Sequence, residues 1–270
     1  MMLDNLAARG LVLLGCGKMG SAMLEGWLAG ALPADSVWVR EPAPSAWLAA
    51  QPIHLNTDLP EDPLLVLVAV KPQIMAAALP DLRALGDART VFLSIAAGTP
   101  ISYFEEVLGA ATPVIRAMPN TPAAIRRGIT AIVGNANVAP EELDLAEALL
   151  AAIGRTVRLD SEAQIDAVTG LSGSGPAYVF HMIEAMAAAG QAQGLPADLA
   201  MQLAISTVSG AGALADASPE TPAQLRVNVT SPNGTTQAGL DVLMADNGLR
   251  ELIDKTIAAA TARSRELASD

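Results

Sequence analysis

Residues 15–20, GCGKMG, place three glycines at the spacing G-x-G-x-x-G. Such a run can cradle a pyrophosphate. The first glycine makes a tight turn, the second lets the backbone approach the ligand, and the third lets helix and strand pack closely. The apolar run LVLL (11–14) before it reads as a buried strand, and residues 21–30 carry apolar residues at helical spacing. The glycines therefore stand where a strand turns into a helix, whose N-terminus offers open N–H groups and a partial positive charge. Some twenty residues on, Glu41 is placed to accept a ribose 2′-OH, which favours NAD. Its neighbour Arg40 could meet a 2′-phosphate, which favours NADP. The two signals oppose each other.

Lys71, in AVKP (69–72), follows a strand candidate at its carboxyl end, where open α/β sheets bind ligands. Of only three lysines (Lys18, Lys71 and Lys255), two fall in or beside this inferred crevice. Asn120, in MPNTPA, follows another strand candidate and could line the same crevice or belong to a plain turn. The two histidines make neither a triad nor a metal site. His181 reads as a packed helix residue near Glu184, and no H-x-x-x-H or carboxylate cluster suggests a metal.

Two later stretches are rich in small neutral hydrogen-bonding groups. TGLSGSGPAY (169–178) leads into a helix through Pro176, and TSPNGTTQAGL (230–240) leads into another. The second holds six side chains ending in a hydroxyl or amide and no charge. Each has the form of a helix N-terminus able to bind an anion by dipole and hydrogen bonds. One capping hydroxyl serves a helix, so the excess points to a ligand.

The elements that must position these groups follow from periodicity. Short apolar strand candidates at 11–14, 36–40, 64–70, 90–95 and 112–118 alternate with helical stretches such as 74–85 and 101–108. That pattern predicts a parallel sheet covered on both faces. Residues 128–134 and 155–159 read as further strands around a helix over 141–153. Beyond about residue 160 strand signals stop, and Ala-rich helices are expected over 176–193, over 196–215 and from 249 onward. The reading is an α/β dinucleotide-binding domain over 1–160 and an all-α domain over 161–270.

With 51% apolar and only 16% charged residues, few charges remain to coat a monomer, so buried subunit surface is expected. A net charge of −12 argues against binding nucleic acid through its phosphates, and 3% aromatics argue against a stacking platform for single strands. The lone Cys16 cannot form an intrachain disulfide or a cysteine zinc site. No run is long enough to span a bilayer and no signal peptide is recognisable, so a cytoplasmic protein without a membrane partner is expected.

The stretches GCGKMG, AVKP, SIAAG, RAMPNTPA, TGLSGSGPAYVF and TSPNGTTQAGL occur in the order seen in pyrroline-5-carboxylate reductases. The chain resembles that family over nearly its whole length. The resemblance implies an N-terminal Rossmann-type, mostly parallel sheet and an all-α C-terminal domain that exchanges helices in a homodimer, which can build larger rings. It implies reduction of 1-pyrroline-5-carboxylate to L-proline with NADP or NAD as cofactor, with the balance toward NADP. Carried over residue by residue, Gly15, Gly17, Lys18, Met19 and Gly20 hold the pyrophosphate. Arg40, Glu41, Ala69, Lys71, Pro72 and Asn120 complete the cofactor site. Thr236 hydrogen-bonds the imine nitrogen, while Ser231 and the amides of Gly234, Thr235 and Thr236 hold the carboxylate. The chain departs from the family pattern at Asn233, where glycine is common, and at Lys18, where asparagine is common.

Hydride addition to a cyclic iminium needs no metal and no nucleophile, so hydroxyls and N–H groups suffice to orient it. Two rivals stand beside this reading. A hydroxy-acid dehydrogenase needs a catalytic lysine on a second-domain helix, where only Lys255 is available. A non-catalytic dinucleotide sensor leaves the hydroxyl-rich loop without a purpose.

Overall fold

The computed structural model describes residues 2–30, 32–86 and 89–269. The chain forms two compact units, Met1–Gly173 with Thr261–Asp270, and Ser174–Ala260. In the first, α1 (Met2–Arg9) precedes β1 (Leu11–Leu14), α2 (Lys18–Leu28), β2 (Val37–Arg40), α3 (Ala46–Ala49) and β3 (His54–Leu55). Then come β4 (Leu65–Val68), α4 (Pro72–Ala78), β5 (Val91–Ser94), α5 (Ile101–Leu108) and β6 (Val114–Met118). The unit continues with β7 (Gly128–Gly134), α6 (Pro140–Leu150), β8 (Gly154–Arg158) and α7 (Ile165–Val168).

The strands form one sheet in the order β3-β2-β1-β4-β5-β6-β7-β8. All neighbours are parallel except β6 and β7, which pair antiparallel with Ile115 opposite Gly134. β1, β4 and β5 are buried along their length, as continuous apolar runs in a doubly covered sheet should be. Alternate residues feed two cores. Leu11, Leu13, Leu65 and Leu67 face the core that holds Met23, Leu24 and Trp27 of α2. Val12, Val66 and Val68 face the one that holds Met75 of α4 and Phe104 of α5. Strand order reverses between β1 and β4, so a crevice opens at their carboxyl ends.

Three local features differ from the sequence expectation. The helix expected over 74–85 is α-helical only to Ala78 and continues as a 3₁₀ turn, Leu79–Leu85. Pro80 lacks the N–H that a further α-turn requires. β3 spans two residues and carries no periodicity; it is held by pairing Trp38 with His54, whose rings stack at 4.4 Å. The texture change near residue 160 falls inside the first unit. Ile165 enters the second core, and Ser264 Oγ donates to Asp166 Oδ1 at 2.7 Å, which ties 165–168 and the chain's last helical turns to the sheet.

The second unit comprises α8 (Gly175–Ala192), α9 (Ala197–Ala217), α10 (Pro222–Asn228), α11 (Thr235–Leu243) and most of α12 (Leu249–Ser269). α8 and α9 pack closely around the turn at Gly194 (φ +94°), where a β-carbon on Gly190 would lie 3.4 Å from that of Ala200. Among the described residues of this unit only Ala187, Ala200 and Ala204 are buried, while Phe180, Leu203, Ile205, Val242 and Leu252 stand exposed. Helices this apolar need a further surface to cover them.

Candidate functional site

In the first unit the glycine run sits at the switch point, between β1 and the first turn of α2. Gly15 has φ +88°, and a β-carbon there would come 2.8 Å from Val70 Cγ1. The turn is thereby pressed against the chain leaving β4. A β-carbon on Gly20 would lie 2.7 Å from Gly15 O and 3.6 Å from that of Ala69, so only glycine allows α2 to start so near β1. Gly17 differs. It caps α2, is exposed, and a β-carbon there would meet no protein atom within 4 Å. The glycines against protein serve packing, and the one facing open space leaves room for a ligand to approach backbone. No side chain caps α2 and no acidic residue lies in its first turn. Its open amides, with exposed Lys18 at the first helical position, suit a phosphate. Met19 and Ala69 are half-buried against the core beneath.

Lys71 caps α4 and Pro72 opens it, both exposed beyond the carboxyl end of β4. Beyond them a cleft of about 750 Å³ lies between α4 and the turn after β5, lined by Pro72, Gln73, Gly98, Thr99 and Tyr103, with Leu267 at its edge.

Arg40 and Glu41 are divided by the pleat of β2. Arg40 lines a pocket of about 380 Å³ with Leu14, Leu59, Ala78, Asp81 and Leu82. Glu41 turns toward the glycine run, where its Oε2 accepts from the Cys16 amide at 2.8 Å and its Oε1 from the Ala43 amide at 3.0 Å. Asn56, left-handed at φ +53°, grips the Glu41 backbone in both directions. Its Oδ1 accepts from the Glu41 amide and its Nδ2 donates to the Glu41 carbonyl, each at 2.9 Å. Burial pushes the Cys16 thiol up to about 11, with the Glu41 and Glu25 carboxylates adding to the shift. That thiol is no nucleophile at neutral pH.

Asn120 is committed to the protein. Its Nδ2 donates to Ser172 O and Oγ, each at 3.3 Å, and its Oδ1 accepts from the Ile129 amide at 3.0 Å. What it can offer a crevice is backbone. Periodicity missed an ion pair close by, between a buried arginine and a half-buried glutamate. Arg116, on β6 and 6% exposed, lies 2.7 Å from Glu162 Oε1, which also accepts the first amide of α5, that of Ile101, at 2.9 Å. The sequence signal was a lone arginine inside an apolar strand, which calls for a partner.

In the second unit the chain from Ser231 to Gly234 makes a tight turn. The Gly234 amide donates to Ser231 O at 3.0 Å, with Pro232 and Asn233 between and Asn233 at φ +59°. This suits a type II turn, in which the third residue must be left-handed. Asn233 therefore does the conformational work of a glycine. Gly234 caps α11, and Ala238 is the first to donate back, to Gly234 O at 3.2 Å. The amides of Thr235, Thr236 and Gln237 are the open donors of a helix start. Ser231, Thr235 and Thr236 are exposed around them.

The earlier Gly/Ser-rich stretch leads into a helix as expected. α8 starts at Gly175 with Ser174 as its N-cap, no side-chain cap and Pro176 in its first turn, while Thr169–Gly173 ahead of it is a π-helical turn that continues from α7. Gly173 lies so close to Met118 that a β-carbon would approach its Cε to 2.4 Å. His181 is exposed rather than packed, 3.2 Å from Glu184 Oε2. Lys255 is exposed and pairs with Glu251 on its own helix at 2.6 Å.

Residues 162–267 match the family described as pyrroline-5-carboxylate reductase dimerisation. The chain is similar to the pyrroline-5-carboxylate reductase of Pseudomonas aeruginosa, at 39% identity over 96% of each chain. Among solved structures, the pyrroline-5-carboxylate reductase of Coxiella burnetii superposes with a TM-score of 0.89 at 32% identity, covering 96% of this chain and 98% of that one. The Plasmodium falciparum pyrroline carboxylate reductase, solved with NADP bound, does so with 0.81 at 26% identity and the same coverage. No helix among the described residues is long and apolar enough to cross a membrane.

Proposed function

The chain belongs to the pyrroline-5-carboxylate reductase family, and on that premise we propose how its residues reduce the ring C=N bond of 1-pyrroline-5-carboxylate to give L-proline. The observation that carries the reading is the uncharged start of α11. Three open amides and the hydroxyls of Ser231, Thr235 and Thr236 surround a turn that Asn233 holds open.

Ser231 and the open amides of Thr235 and Thr236 bind the substrate carboxylate by dipole and hydrogen bonds, while the Gly234 amide, expected to join them, closes the turn onto Ser231 O at 3.0 Å. The Thr236 hydroxyl orients the ring nitrogen. It can accept from an iminium N–H and can donate to a neutral imine, so it serves both protonation states. NAD(P)H, when bound, supplies the hydride that reduces the imine carbon. Gly17, Lys18 and the first amides of α2 hold its pyrophosphate, with Gly15 and Gly20 shaping the turn behind them, and Gly17, exposed and facing open space, fits that role. Met19, Ala69, Lys71 and Pro72 line the crevice, and Asn120 braces it through Ser172 and Ile129. The protein's contribution is orientation and the exclusion of competing geometries.

The helical unit associates with further copies of this chain. Within the proposal, two chains exchange helices, and such dimers can close into a ring. The exposed apolar side chains of α8, α9 and α11 support this reading. The compartment proposed is the cytoplasm, in keeping with the single cysteine.

Purified protein should consume NADH or NADPH only when 1-pyrroline-5-carboxylate is added. Thr236→Ala should lower kcat by about a hundredfold, as loss of one positioned hydrogen-bonding group does. Ser231→Ala should chiefly raise KM. Turnover that Thr236→Ala leaves intact would overturn the assignment.

A further inference from the structure

We infer that Glu41 makes this chain select NADH over NADPH, a reading that rests on the dinucleotide site proposed above. The inference starts from register. β2 runs parallel to β1 with Leu14 beside Arg40, and the Gly15 amide donates to Arg40 O at 2.8 Å. The residue after Arg40 is therefore delivered to the flank of the glycine run, where the ribose of a dinucleotide held by that run must lie.

Glu41 is fixed there from three directions. The Cys16 amide holds one carboxylate oxygen, the Ala43 amide holds the other, and Asn56 clamps the backbone. A carboxylate is an acceptor with about four lone-pair sites, and two are used. The remaining two can accept from the pair of vicinal ribose hydroxyls of NADH. A 2′-phosphate replaces one of those donors with about two negative charges. It would stand against a carboxylate that cannot turn away without giving up its amide bonds.

The cations nearby do not offset this. Arg40 instead lines the pocket formed with Leu14, Leu59, Ala78, Asp81 and Leu82. Lys18 is at the start of α2 and Lys71 at the start of α4, beside the pyrophosphate path that both cofactors share. Discrimination therefore falls to Glu41.

The test titrates NADH and NADPH separately against the full-length protein without substrate, following tryptophan quenching, for the wild type and for Glu41→Ser, Glu41→Gln and Arg40→Ala. The wild type should bind NADH at least about tenfold more tightly, a difference of about 1.4 kcal/mol. Glu41→Ser should move the ratio of dissociation constants at least about tenfold toward NADPH. Glu41→Gln, which keeps an acceptor but not the charge, should tighten NADPH if the serine variant folds poorly. Arg40→Ala should change both affinities by the same factor. Equal or tighter NADPH binding by the wild type, with Arg40→Ala weakening NADPH alone, would assign the preference to Arg40 and overturn the inference. Failure of the folded protein to bind either cofactor would overturn the dinucleotide reading itself. The ratio of kcat/KM for the two cofactors, measured with 1-pyrroline-5-carboxylate, should follow the ratio of affinities.

Discussion

The carboxylate of Glu41 and the backbone amide of Cys16, twenty-five residues apart, meet at 2.8 Å, and this bond closes the glycine run against the end of β2. It brings a negative group to a half-buried thiol, and both burial and that charge favour the protonated thiol.

The first prediction is a pH dependence from Cys16. Its thiol is raised from 9.0 to about 11 on folding. Below pH 9 it is protonated in both states and contributes nothing to the slope. Between pH 9 and 11 the unfolded chain loses the proton first, so it binds fewer protons than the native state and stability falls as pH rises. Urea midpoints should decline across that window, and Cys16→Ser should flatten the decline. Iodoacetamide should label the folded wild type far more slowly than the unfolded chain at pH 8.5. Equal rates would contradict the assignment.

The second prediction separates packing from binding within the glycine run. Gly20→Ala forces a methyl to 2.7 Å from Gly15 O and should cost about 1–3 kcal/mol of stability. Gly17→Ala meets no protein atom and should leave stability within about 0.5 kcal/mol of wild type. It should nevertheless weaken reduced-dinucleotide binding by at least about tenfold. Thermal melts beside cofactor titrations read both effects.

Asn233 supplies the third. Because its φ is +59°, Asn233→Gly should preserve KM for the substrate, whereas Asn233→Ala should cost about 1 kcal/mol at the turn and raise KM several-fold. Equal KM for the glycine and alanine variants would mean the turn does not shape the pocket.

The fourth concerns the pair formed by buried Arg116 and half-buried Glu162. Removing one partner strands a charge, so Glu162→Ala should destabilise by about 3 kcal/mol in chemical denaturation. Glu162→Gln keeps an acceptor for the Ile101 amide and should cost less. A double variant, Arg116→Met with Glu162→Leu, should recover much of the loss.

Local pattern determined a large part of this protein. The alternation of short apolar runs with helical stretches specified a parallel sheet, because strand and helix periodicities are properties of neighbouring residues. Three glycines at fixed spacing specified the turn between β1 and α2. The six neutral polar groups of residues 230–240 marked the start of α11, where the carboxylate site is proposed, without any partner being visible.

Tertiary structure decided what depends on pairing between distant residues. The sequence set Arg40 against Glu41 as equals. Sheet register and pleat separated them, sending one to a pocket with Asp81 and the other to the Cys16 amide. Asn120 looked like a crevice residue, but its side chain is spent on Ser172, fifty-two positions away. The π-helical turn at Thr169–Gly173, ahead of the expected helix start at Gly175, carried no sequence signal; it continues a segment that Ile165 anchors in the sheet's core. Residue types and short spacings are written along the chain. Which of two adjacent charges faces a ligand is settled only when strands align, because hydrogen bonds between distant residues form only in one register.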